Sequence, residues 1–164
     1  IIAKVNHAQK GIKMFSKDIV KTITKIKNLK IEEEREVTDT LISLKIKYDE
    51  EIFFIFIKDF SDDLMVINVI NPISFTGKIK DTPAMDLVNK FNTMVVGVKC
   101  ILSDAKKGHY IFSREEFVRS KDVYDKDLIE SKLKLSISLV VNAVPNFENT
   151  IKDEGIRNEQ EEDK

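Results

Sequence analysis

From Ile12 onward the apolar positions Ile12, Phe15, Ile19, Ile23 and Ile26 recur every three or four residues, with lysines between them. That spacing predicts an amphipathic helix with one buried stripe, ending near Leu29. The charged segment "KIEEERE" then gives way to "LISLKIKY", in which Ile42, Leu44 and Ile46 alternate with Ser43, Lys45 and Lys47. Strict alternation predicts a half-buried strand. "IFFIFIK" and "LMVINVI" are short β-branched or aromatic runs, entered through "DEE" and joined by "DFSDD". They predict two further strands and, with such short connections, an antiparallel meander.

"NPISFTGKIKD" reads as a loop, after which Thr82 and Pro83 offer an N-cap hydroxyl and a first-turn proline. Ala84, Leu87, Val88 and Phe91 form the stripe of a short second helix. Val96, Val98, Cys100 and Leu102 alternate along a fourth strand, "DAKKG" is a hairpin turn with Gly108 able to take positive φ, and "HYIFSRE" returns as a fifth strand. A third helix from about Asp125 carries Ile129, Leu133, Ile137, Val140, Val141 and Val144, and Pro145 is expected to end or kink it. The predicted fold is α+β, a five-stranded antiparallel sheet in the order helix-β-β-β-helix-β-β-helix, with helices packed on it.

Two asparagines stand where the second helix must turn into a strand. Asn92 suits a left-handed helix C-terminus, and Asn89, one turn earlier, can hydrogen-bond backbone groups of the tight connection. A structural corner explains both better than a ligand does. The stretch "LVNKFNTMVVGVKCILSDAKKGHYIFSREEF" resembles the core of the YbjN-like family of bacterial sensory transduction regulators, through Leu87, Asn89, Asn92, Gly97, Gly108 and Phe112. The resemblance implies a fold similar to type III secretion chaperones, which are small dimeric proteins that hold segments of a client chain. It implies a chaperone-like or regulatory binding role and brings no catalytic residues.

Pairing parity adds a surface. A four-residue connection from Tyr48 to Glu51 sets Lys47 opposite Ile52, so that Ile42, Leu44 and Ile46 share a buried face with Phe53, Ile55 and Ile57. A five-residue connection, Asp59 to Asp63, then adds Met65, Ile67 and Val69. The opposite face holds Ile52, Phe54, Phe56, Leu64, Val66 and Ile70 beside Lys45 and Lys47, with Asn68 marking it as the wetter side. The other strands each present polar residues to water, but these two are apolar on both faces and need a second cover. Covering four such side chains yields roughly 6 to 12 kcal/mol before the costs of association. The expected partner is a protein, either a client polypeptide or a second copy in a homodimer. Two other readings compete: the first or last helix crosses over and buries this face, or the chain is a small-ligand sensor with a pocket between sheet and last helix near Tyr110 and Phe112.

Composition narrows the rest. Apolar residues make up 42% and charged residues 34%, as in a folded domain with a solvated surface, and the formal net charge is only -1. Such a balance gives no global attraction to nucleic acid or to an anionic membrane. The acidity is concentrated in "KDEGIRNEQEEDK", so residues 1–151 are expected to form one domain and 152–164 an acidic, disordered tail. Cys100, the single cysteine, is expected to be a buried small hydrophobe. His7 and His109 are far apart, and no third ligand type stands near either. Asp59, Asp62 and Asp63 read as turn formers before cation ligands. With no phosphate loop, nucleophile elbow or membrane-length apolar run, the expectation is a non-enzymatic cytoplasmic protein without metal or cofactor.

Overall fold

The computed structural model describes residues 15–75, 84–104 and 107–162, with side chains to residue 154. Ile12, His7, Thr82 and Pro83 lie outside the described residues, as does the middle of the "DAKKG" turn. The order is α1 (Ser16–Ile23), β1 (Leu29–Thr38), β2 (Leu41–Tyr48), β3 (Glu51–Ser61), β4 (Leu64–Ser74), α2 (Ala84–Met94), β5 (Lys99–Asp104), β6 (His109–Arg119) and α3 (Lys126–Glu162). The fold is α+β, as expected, but the antiparallel sheet has six strands and not five, in the spatial order β1-β2-β3-β4-β6-β5.

The extra strand is the charged segment. β1 is an edge, exposed on nearly all of its length, so its side chains carry no apolar alternation. Charges on an edge strand also discourage pairing with other chains. The first helix is shorter than its stripe suggests. It stops at Ile23, and bonds from Lys25 N–H to the Thr22 carbonyl and from Ile26 N–H to the Ile23 carbonyl tighten the chain. Asn28, at φ 63°, then turns it into β1. Ile26 and Leu29 stay buried, which explains why the three-residue spacing outlasts the helix.

Register decides which side chains share a face. Asp49 and Glu50 both have positive φ, forming a two-residue hairpin turn that pairs Tyr48 with Glu51 and Lys47 with Ile52. The next connection is a two-residue turn at Asp62–Asp63 and not a five-residue loop. By itself that turn would reverse the parity, but a bulge between Asp59 and Ser61 inserts one residue and restores it. Ile57 therefore pairs with Ile67 and Ile55 with Val69, all fully buried. β4 runs on through "NPIS", where a loop was expected. Pro72 is tolerated because β3 pairs no further than Ile70, so its missing N–H falls on an unpaired side.

α3 does not end at Pro145 but continues past it. Beyond it, Phe147 is fully buried against Phe75, Phe91, Tyr110 and Phe112, with ring centroids 4.8 to 5.5 Å away. Burying that ring is worth up to about 3 kcal/mol, comparable to the proline penalty, and Pro145 itself sits on the exposed side. The helix also continues into the expected tail: Lys152 to Glu154 are helical, and Glu154 forms an ion pair with Lys90 of α2. α1, α2 and α3 all pack on one face of the sheet, where their buried residues join those of the strands in a single core.

Candidate functional site, an uncovered sheet face

The other face is built by β2, β3, β4 and β6. Pairings of Lys47 with Ile52, Lys45 with Phe54, Phe54 with Ile70, and Lys58 with Val66 place these side chains together. Leu64, on the same parity of β4, joins them at the turn. The residues singled out by parity thus share one face. Phe54, Phe56, Leu64, Val66 and Ile70 are half-buried by one another, and Ile52 is 36% exposed. None of them belongs to the core cluster, and among the described residues no helix lies over them.

The face is wider than expected. Phe117 of β6, 57% exposed, stands opposite Val66, beyond the point where the fifth strand was expected to stop. Its odd position, out of phase with Tyr110 and Phe112, is the signal that a longer strand reading would have caught. β1 adds Glu33, Arg35 and Val37, which were hidden in the charged segment. With Ser43, Lys45, Phe54 and Phe56 they line an open groove of ≈ 450 Å³.

Its electrostatics are those of solvated pairs. Lys45 Nζ lies 3.1 Å from Glu32, Arg35 lies 2.5 Å from Glu33, and Lys47 lies 2.5 Å from Glu50, whose carboxylate raises the Lys47 pKa above its ordinary value. Exposed pairs of this kind contribute about 0–1 kcal/mol each and exchange readily. Asn68 is on this face, between Phe56 and Glu115, but it does not mark a wet spot: its Oδ1 is buried and has no hydrogen-bond partner among the described residues.

The asparagine corner is structural, by a route other than the one expected. Asn92 does not take the left-handed conformation; Gly97 does, at φ 88°. The Asn92 side chain instead bonds the backbone of Cys100 in β5. Of Asn89, the carbonyl accepts from Thr93 Oγ1 at 2.8 Å, and its side chain is exposed. Gly108 has positive φ, as its turn requires.

A second cleft, ≈ 440 Å³, opens beside β5 and β6 around Gly97, Lys99 and Arg114. The Arg114 guanidinium is already engaged by the Gly97 carbonyl at 2.9 Å and by Glu116 at 3.0 and 2.9 Å. Glu116 is buried beneath α3, where it also accepts from Lys132 at 3.2 Å, so this group fastens the helix to the sheet. The space near Tyr110 and Phe112, where a sensor pocket would lie, is filled by Phe147. Among the described residues no group of three His, Cys, Asp or Glu is placed to hold a metal, and no helix is long and apolar enough to cross a membrane. Comparison with family models, with curated proteins and with solved structures returns no match.

Proposed function

We propose that this chain is a non-enzymatic binding module, chaperone-like or regulatory, that takes an apolar polypeptide segment on its uncovered sheet face. One observation carries the reading: the β3–β4 hairpin is apolar on both faces, and the helices cover one. The occupant is a client polypeptide or a second copy of the chain. Because the side chains already shield one another, covering four of them yields about half of the full-burial value, roughly 3 to 6 kcal/mol. Rim contacts and backbone complementarity must supply the remainder needed against the costs of association. The likeness of residues 87–117 to the YbjN-like family points to the same kind of role. A sensor role is less well supported, because aromatic rings occupy the space it would use.

The test is the double variant Phe54→Asp with Phe56→Asp, compared with the unaltered protein by circular dichroism and native mass spectrometry. A dimer or retained polypeptide in the unaltered protein, lost in a variant with an unchanged spectrum, supports the reading. A variant that unfolds would show these rings to be core, and a small molecule retained by both proteins would favour the sensor.

A further inference from the structure

The capture reading leaves two occupants open, and the charge on the uncovered face separates them. From β1 to β3 this side carries Lys30, Arg35, Lys45, Lys47 and Lys58 against Glu32, Glu33 and, at the β2–β3 turn, Glu50. On β5 and β6 it carries Lys99 and Arg119 against Glu115. The chain as a whole has a formal charge of -1, so this positive excess is local to the face that is also apolar. Stacking two copies through it would set one net-positive face against another, at a cost in both rate and affinity.

Addition of a strand at either sheet edge is also disfavoured. At the β5 edge the outward backbone groups of Cys100 are taken by Asn92. At the β1 edge, bulges between Ile31 and Glu33 and between Glu36 and Thr38 break the ladder, and glutamates line it. What remains is the groove over Phe54 and Phe56, walled by Arg35 and Lys45. In the free protein Glu33 and Glu32 occupy those two cations. Carboxylates of an incoming chain can take their place, since such exposed pairs hold weakly.

We infer that the occupant is an acidic amphipathic polypeptide segment, its apolar side chains on the Phe54–Phe56 groove and its carboxylates on Arg35, Lys45 and Lys47. The inference rests on the capture reading and adds the partner's chemistry to it. Nucleic acid fits less well: Phe54 and Phe56 are half-buried and offer no free ring face as a fully exposed stacking platform would, and Glu32, Glu33 and Glu115 would meet phosphates.

Two synthetic peptides test it, with the same apolar residues alternating with glutamate in one and lysine in the other. Binding to the full chain is read by fluorescence anisotropy, beside a single-stranded oligonucleotide. The acidic peptide is expected to bind at least about tenfold more tightly than the basic one, with the margin shrinking as salt rises from about 0.05 to about 0.5 M. Arg35→Glu with Lys45→Glu, both at solvated positions, should reverse the preference, and Phe54→Asp with Phe56→Asp should abolish uptake of both peptides. Equal affinity for the two peptides would overturn the acidic assignment while leaving capture intact. Uptake of neither would overturn capture itself. Tighter binding of the oligonucleotide, or self-association that excludes both peptides, would give the face to a different occupant.

Discussion

Asn92 pairs with Cys100 as a neighbouring strand would. Its Nδ2 donates to the Cys100 carbonyl at 2.9 Å, and its Oδ1 accepts from the Cys100 N–H at 2.8 Å. One side chain thus satisfies both outward backbone groups at this point of the β5 edge and locks α2 to it. Asn92→Ala should cost about 1–3 kcal/mol, the price of two unmade bonds at a partly buried site, measured by chemical denaturation. Asn92→Asp should cost at least as much, because a carboxylate has no donor for the carbonyl and repels it. A midpoint unchanged in both variants would mean that water replaces the amide without loss.

That contact shows where sequence reading succeeds and where it stops. The tight helix-to-strand corner was visible, because Asn89 and Asn92 interrupt an apolar stripe just before alternation begins. The bond to Cys100 was not, since it joins a helix residue to a strand residue and no single period relates the two. The face of Phe54 and Phe56 could be read from parity alone, although the two-residue turn at Asp62–Asp63 would have inverted β4 against it without the bulge near Phe60. β1 escaped because an edge strand meets water on most of its surface, and its glutamates follow no period. The run of α3 past Pro145 depends on Phe147, whose partners Phe75 and Tyr110 are distant in the chain.

Cys100 lies among apolar neighbours, and burial pushes its thiol up to about 12. The thiolate is the reactive form, so the folded protein should resist a thiol reagent at neutral pH. Labelling is expected only through opening of the structure, at a rate that climbs when mild denaturant is added. Rapid labelling in buffer alone would place Cys100 in a locally open strand.

Pro145 lacks the N–H that would bond the Val141 carbonyl one turn back, and its ring crowds the preceding turn. It faces solvent, so replacement disturbs no core contact. Pro145→Ala should raise stability by about 1–3 kcal/mol, seen as a higher denaturation midpoint with an unchanged slope. Phe147→Ala should do the opposite, lowering it by about 3–5 kcal/mol through the cavity it leaves. If Pro145→Ala destabilised the protein, a bend at this point would be part of how Phe147 reaches its pocket.

Glu130 lies 2.7 Å from Lys126 and 2.7 Å from Lys134, on the same side of α3. Hydrogen bonds from Lys126 first and Lys134 second hold its pKa down to about 2, against an ordinary value of 4.5. Because the folded value is the lower one, these pairs add stability above about pH 4.5 and lose it progressively as pH falls toward about 2. The difference in denaturation midpoint between the unaltered protein and Glu130→Gln should therefore be present at pH 7 and vanish near pH 2. A difference that stays constant with pH would point to side-chain packing and not to charge.

Asp59, at the end of β3, caps a helix that precedes it by more than forty residues. Its Oδ1 accepts from the N–H groups of Phe15 and Ser16, both at 3.2 Å, at the start of α1. The carboxylate is buried, and its charge opposes the positive end of the helix dipole. Asp59→Ala should cost about 1–2 kcal/mol, the usual loss for a missing cap, and Asp59→Asn less, since an acceptor oxygen remains. The ranking by denaturation midpoint should be the unaltered protein, then Asn, then Ala. With Asp59 turned to α1 and Asp63 accepting from Ser120 Oγ at 2.7 Å, the three aspartates of this connection do not converge on a cation. Millimolar calcium or magnesium should accordingly leave the melting temperature where it is, and a rise would show that these carboxylates can leave their present partners for a metal.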